Sequence, residues 1–309
     1  TPAEILILGW TKGLKNKGNL SIVLDLQNDV PQLLRKFSAI SVDGLKIDSE
    51  GVFDKTGKAF KSFKLHYFTA GQNQFHGTLT RDRHGRYDIN VNGQSLNIES
   101  FLKEMGEKES TLPEEGLAVK AKFDKLQLDP EQTLFGNSLD FYSKKGRFLS
   151  FEYAAYLRLS KKKENLIHAM ITSLPNNTRR LTLQTPAAGK LLKAFGFPLT
   201  VYEGLLQLYA IRNDAQSQGT WEGKLRIQNF SVKDVPVLGQ ILSLAFPTGM
   251  VDLFSDKGLS FQQFRTRFSL TPRKLIISNG HAQGASLGMT IQGNMDRSLN
   301  NINLSGSVI

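Results

Sequence analysis

Five consecutive residues, Gly284-Ala285-Ser286-Leu287-Gly288, have the spacing of a nucleophile elbow. Such an elbow works where a strand turns sharply into a helix and lifts the serine hydroxyl beside an oxyanion hole. The residues that follow, "MTIQG", alternate as a strand does and carry no helical pattern, so the spacing predicts a turn between two strands. The histidines His66, His76, His84, His168 and His281 show no metal-ligand spacing. His66 and His76 lie on adjoining strand runs and share the polar side of the alternation, which reads as a solvated pair. The chain has no G-x-x-x-x-G-K-[ST] loop and no G-x-G-x-x-G after a strand. It has no cysteine, which removes disulfides, thiolate metal sites and cysteine nucleophiles together. No catalytic residue, metal site or cofactor is assigned, and the chain does not read as an enzyme.

The chemistry that remains is that of surfaces. Hydrophobic residues make up 40% of the 309 and charged residues 22%, as in a folded protein with a core. Lys and Arg outnumber Asp and Glu by 39 to 28, a net charge of +11. That excess favours an anionic partner such as lipid, a membrane surface or nucleic acid. The basic residues are dispersed in "KNK" at 15–17, "KKKE" at 161–164 and "RR" at 179–180, and the aromatics fall on the other side of the alternation. Nucleic-acid binders interleave the two, so nucleic acid is not an expected partner. The opening "TPAEILILGWTKGLK" has no signal-peptide pattern, and "NINLSGSVI" stops within an alternating run, so a piece of a longer protein is expected.

The elements that position these side chains are strands. "GTWEGKLRIQNF" sets Trp221, Gly223, Leu225 and Ile227 against Thr220, Glu222, Lys224 and Arg226. Phe63, Leu65 and Tyr67 alternate in "FKLHYF", and Tyr87, Ile89 and Val91 in "RYDINVNG". In "FRTRFSL", Phe264, Phe268 and Leu270 oppose Arg265 and Arg267. Period two means half-buried strands, apolar on one side and wet on the other. Turn signals at 54–58, 70–73, 81–85, 143–146 and 270–274 join them into an antiparallel meander. The polar segment 107–116 is a soft boundary, with N-terminal repeat units in 1–106 and a C-terminal module in 117–309 of one elongated body. Short amphipathic helices are expected at 29–38, 97–108, 185–196 and 234–246. Each opens on Asp, Asn or Thr, and three have Pro close behind.

The most apolar stretch runs from Val235 to Phe254 with one charge, Asp252. Asp234 caps and Pro236 starts a helix there, and Leu238, Ile241, Leu242 and Ala245 follow at helical spacing until Pro247 ends it. Ten residues make about 15 Å of helix. A membrane span takes about twenty apolar residues. The stretch therefore reads as a helix in a local core or over an apolar sheet, with Leu238, Ile241 and Leu242 on the covering side.

An unclosed antiparallel sheet must cover its apolar face. These helices are too few and short for that. Either the sheet closes into a sandwich whose apolar face is a sealed core, or it curls into a trough whose floor stays apolar. A trough lined by Phe, Leu, Ile and Tyr fits acyl chains. A sealed sandwich fits a protein- or carbohydrate-interaction module.

Several segments carry a family resemblance. "KGNLSIVLDLQNDVPQLLRKFS", "FHGTLTRDRHGRYDINVNGQSLNIESFLKE" and "LTLQTPAAGKLLKAFGFPLTVYEGLLQL" look like successive units of the AsmA-like superfamily. The segment from "GTWEGKLRIQNFSVKDVPVLGQIL" to "HAQGASLGMTIQGNMD" resembles the C-terminal module of its YhdP/TamB-type bacterial envelope proteins. The resemblance implies a mainly β fold, a long antiparallel meander curled into an open, taco-like groove with a few short helices. It implies phospholipid transport between the inner and outer membranes. It further implies a periplasmic location, an inner-membrane tether absent from this chain, and membrane proteins as partners at the groove's ends. The acyl chains would lie against Phe63, Leu65, Tyr87, Ile89, Phe151, Tyr153, Trp221, Leu225, Phe264 and Phe268. Leu238, Ile241 and Leu242 would cap the groove.

Overall fold

The structure, a computed structural model, describes residues 18–99, 113–130, 132–157, 166–194, 200–214, 219–233, 258–271, 273–285, 287–296 and 301–308. It is mainly β. The chain divides into two compact units, Thr1–Ala155 and Tyr156–Ile309. The strands on either side of the segment 107–116 pair with each other.

The first unit is built on nine strands: β1 (Gly18–Gln27), β2 (Val30–Ser41), β3 (Lys46–Phe53), β4 (Phe60–Ala70), β5 (Asn73–Arg81), β6 (Tyr87–Asn97), β7 (Leu117–Asp129), β8 (Gln132–Lys144) and β9 (Arg147–Tyr156). From β1 to β6 each strand pairs antiparallel with the next, as do β7 and β8. The pair β6–β7 is parallel, with Tyr87 beside Leu117 and Val91 beside Ala121. A parallel pair needs a long connection to carry the chain back, and the segment from 98 to 116 supplies it. The expected helix at 97–108 falls in this connection, mostly outside the described residues.

The second unit continues with β10 (Leu166–Leu174), β11 (Thr178–Thr185), β12 (Thr200–Asn213), β13 (Trp221–Lys233), β14 (Leu259–Leu270), β15 (Lys274–Gly284), β16 (Gly288–Asp296) and β17 (Asn301–Val308). Each pairs antiparallel with the next. The strands form one open sheet: among the described residues no pairing joins the first strand of either unit to its last. Among the described residues one short helix, α1 (Ala188–Ala194), lies within the stretch 185–196 and packs against β12.

The helix expected at 29–38 is a strand. Asn28 and Asp29 both take left-handed backbone, with φ of 51° and 64°. Two such residues make a tight hairpin turn, which asparagine and aspartate tolerate well. Asp29 therefore ends the β1–β2 turn and caps no helix. The Leu33–Leu34 pair then splits across the sheet, with Leu34 buried and Leu33 opposite Val52. The stretch 234–246, and with it Leu238, Ile241 and Leu242, lies outside the described residues.

The cores form along the sheets. In the first unit Ala39, Leu45, Ile47, Phe68 and Ala70 cluster on neighbouring strands, with Phe75 stacked 4.7 Å from Phe68. In the second, Leu206, Ile227, Phe230, Phe261, Ala282 and Met289 cluster with Ala188 of α1, and the Phe230 and Phe261 rings stack at 5.3 Å.

Candidate apolar binding face

Registers turn the alternation into continuous rows. Across the first unit one row runs Leu24, Leu34, Gly51, Phe63, Leu79, Ile89, Val119 and Phe141, each directly opposite the next. A parallel row contains Leu65 between Ser49 and Gly77, then Val91, Ala121 and Leu139. Tyr87 stands at the end of this face beside Leu117, with the Arg81 guanidinium 5.3 Å above its ring. Phe63, Leu65, Tyr87 and Ile89 thus share one face.

Tyr153 reaches the same neighbourhood by a polar contact. Its hydroxyl donates to Asn137 Oδ1 at 2.7 Å, and the Asn137 amide donates to the carbonyls of Phe123 and Leu134. Asn137 stands opposite Phe123, so this buried amide lies on the apolar face. Burial pushes the Tyr153 phenol above its ordinary value, which keeps the donor protonated. Phe151 lies two residues earlier on β9 and points to the same side.

The second unit repeats the arrangement. One row runs Ile171, Leu181, Ala210, Gly223, Phe268, Ile277, Gly293 and Leu304. The next holds Leu183, Leu208, Leu225 and Thr266. Trp221 stands opposite Leu270, and Phe264 lies between Ile227 and Ala282. Trp221, Leu225, Phe264 and Phe268 therefore share one face, with Trp221 and Leu225 packed in the cluster of Phe268. Gly223 is required here, because a Cβ at that position would run into the backbone carbonyl oxygen of Tyr209 and lie 2.7 Å from the Ala210 Cβ.

This face is neither sealed nor fully wet. Leu206 and Ile227 are buried, whereas Leu181, Leu183, Leu208, Leu225, Phe264 and Ile277 are half-buried. On β1, Leu20, Ile22 and Leu24 of the same face are open to solvent, Leu20 to 59%. The alternation of "NLSIVL" is the signal in the sequence that marks these three. Leu79, Val119, Leu208 and Ile277 are assigned to the rows only by the register.

No other chemistry gathers on the described residues. No group of three or more His, Asp or Glu is placed to hold a metal, and no helix is long and apolar enough to cross a membrane. His66 pairs with Glu50 at 3.5 Å, and His76 stands opposite Asn92. Residues 284 and 288 end and begin strands, and the Gly284 N–H donates to the Leu287 carbonyl at 2.8 Å. A nucleophile elbow would need a helix after the turn. Ser286 itself lies outside the described residues.

No family model matches the chain, and neither a curated protein nor a solved structure does so.

Proposed function

We propose that this chain binds phospholipid acyl chains along its apolar sheet face, as a segment of an AsmA-like protein that carries lipid between bacterial membranes. The observation that carries the reading is the half-burial of the apolar rows. A sealed sandwich would hide Leu208, Leu225, Phe264 and Ile277 as fully as it hides Leu206. Strands spaced about 4.8 Å apart make an eight-strand row about 34 Å long. One leaflet of a bilayer is about 15 Å of hydrocarbon, so a row is long enough for an acyl chain. Affinity would come from burial, at about 0.8 kcal/mol per methylene. The polar contacts on this face, Tyr153 with Asn137 and Arg81 over Tyr87, are satisfied within the protein and leave the rows free for an apolar ligand.

The transport role, the periplasmic location and the membrane-protein partners rest on the sequence resemblance. The curled groove rests on the open sheet together with the half-buried face. The test is mass spectrometry of lipids extracted from the chain purified without detergent, beside a soluble β-protein treated identically. Phospholipid in stoichiometric amount is the expected result. A folded, lipid-free chain that takes up none from added phospholipid would overturn the reading and favour a sealed interaction module.

A further inference from the structure

The net charge of the chain is concentrated in one unit. Thr1–Ala155 carries 21 Lys and Arg against 20 Asp and Glu. Tyr156–Ile309 carries 18 against 8, so +10 of the +11 belongs there. On the polar face of this second unit, the register gathers cations on two neighbouring strands. Lys224 stands directly opposite Arg267, and Arg226 directly opposite Arg265. His281 of β15 follows beside Arg265. All five side chains are exposed.

Directly opposed residues on one face have Cβ atoms about 5 Å apart, and like charges there destabilise the pair. None of the four Lys and Arg makes an ion pair among the described residues. Arg179 and Arg212 of the same unit, by contrast, share Asp214. The register puts one carboxylate next to the block, Glu222, opposite Ser269. Wetting a sheet face requires no such concentration of one sign. A block of cations that no ion pair among the described residues offsets is suited to an anionic ligand.

The side chains bordering the block select the ligand. Tyr209 lies opposite Lys224, and the next row runs Ile211, Glu222, Ser269, Ile276. Tyr209, Ile211 and Ile276 are exposed to 43%, 37% and 41%. Nucleic acid offers isoleucine no partner, and one tyrosine is a poor stacking platform. A bilayer interface accepts both kinds of side chain, since its phosphates meet Lys and Arg while tyrosine and isoleucine enter the headgroup layer. We propose that the polar face of β12–β15 docks on an anionic bilayer surface through Lys224, Arg226, Arg265 and Arg267, with Tyr209, Ile211 and Ile276 entering the interface. This uses the face opposite the acyl-chain rows and stands whether or not those rows bind lipid.

The test is co-sedimentation of the 309-residue chain with phosphatidylcholine vesicles, with and without a third of phosphatidylglycerol. Binding is expected on the anionic vesicles only. Each charge removed should weaken it about five-fold, so an Arg226→Gln/Arg265→Gln variant should bind roughly 25-fold more weakly. Ile211→Ser should weaken binding with the charge unchanged. Both variants are checked by thermal melting, and the double variant, relieved of repulsion, should melt no lower than the parent. Equal binding to both vesicle types, or a folded double variant that binds as the parent does, would overturn the proposal. So would tight binding of a single-stranded oligonucleotide that anionic vesicles fail to displace, which would assign the block to nucleic acid.

Discussion

Each unit has an apolar sheet face of its own, but the two treat their polar faces in opposite ways. In the first unit a polar row runs Glu50, Lys64, Thr78, Asn90, Lys120, Asp140, with opposite charges facing each other at both ends. In the second, the corresponding positions place Lys224 against Arg267 and Arg226 against Arg265. The first pattern stabilises its strand pairs and the second weakens them. Strand formation explains the apolar rows of both units. It does not explain the cation block, which is why the block is assigned a partner and the mixed row is not.

The largest effect expected from breaking this comparison lies in the shared feature. Leu206 is 2% exposed, and Leu206→Ala should cost about 2–5 kcal/mol in chemical denaturation, as truncation of a buried leucine does. Leu20→Ala, on the open β1 end of the first unit's face, should change stability by no more than about 0.5 kcal/mol. Equal losses at both would mean that both faces are sealed. Tyr153→Phe comes next. It strands the buried Asn137 oxygen and should cost about 1–3 kcal/mol in the same measurement. Charge reversal should then separate the units by sign. Arg226→Glu faces Arg265 and should stabilise by about 0.2–1 kcal/mol, whereas Lys64→Glu faces Glu50 and should destabilise by a similar amount. The same sign at both sites would remove the distinction between the two polar faces.

The smallest effect is a titration. The Thr56 hydroxyl, helped by backbone N–H groups of the 54–59 turn, holds the Asp54 carboxyl below its ordinary 3.8. A depressed carboxyl stabilises the fold above about pH 3.8, and that contribution is lost as the pH falls through the lower folded value. Thr56→Val should move the Asp54 midpoint upward toward 3.8 in an NMR titration. An unmoved midpoint would show that the backbone N–H groups suffice.

Much of the sheet was legible because period two is a strong signal. "GTWEGKLRIQNF" alone assigns Trp221, Leu225 and Ile227 to one face and Lys224 and Arg226 to the other, and the register agrees. The turn signals at 54–58, 81–85 and 143–146 mark hairpins for the same reason, since Gly57, Gly85 and Gly146 take left-handed backbone. The 29–38 segment misled because an Asp followed by Val-Pro can cap a helix or close a two-residue turn. The preceding Asn28 decides for the turn, since two neighbours both tolerate positive φ. Pairing partners were not legible. Alternation says which residues share a side of one strand, but not which strand lies next to it. The parallel β6–β7 pair, the Asn137–Tyr153 contact and the opposed arginines all depend on register. The basic block was missed for that reason, because Lys224 and Arg226 are distant in sequence from Arg265 and Arg267.

The most direct test of acyl-chain binding compares two neighbouring residues of one strand. Leu225 lies on the apolar face of β13 and Lys224 on the polar face. A photo-reactive amino acid is placed at each in turn, in chain loaded with phospholipid and freed of vesicles, and adducts are read by mass. Lipid adducts at 225 and none at 224 are the predicted result. Adducts at both positions alike, or at neither while lipid remains bound, would contradict it.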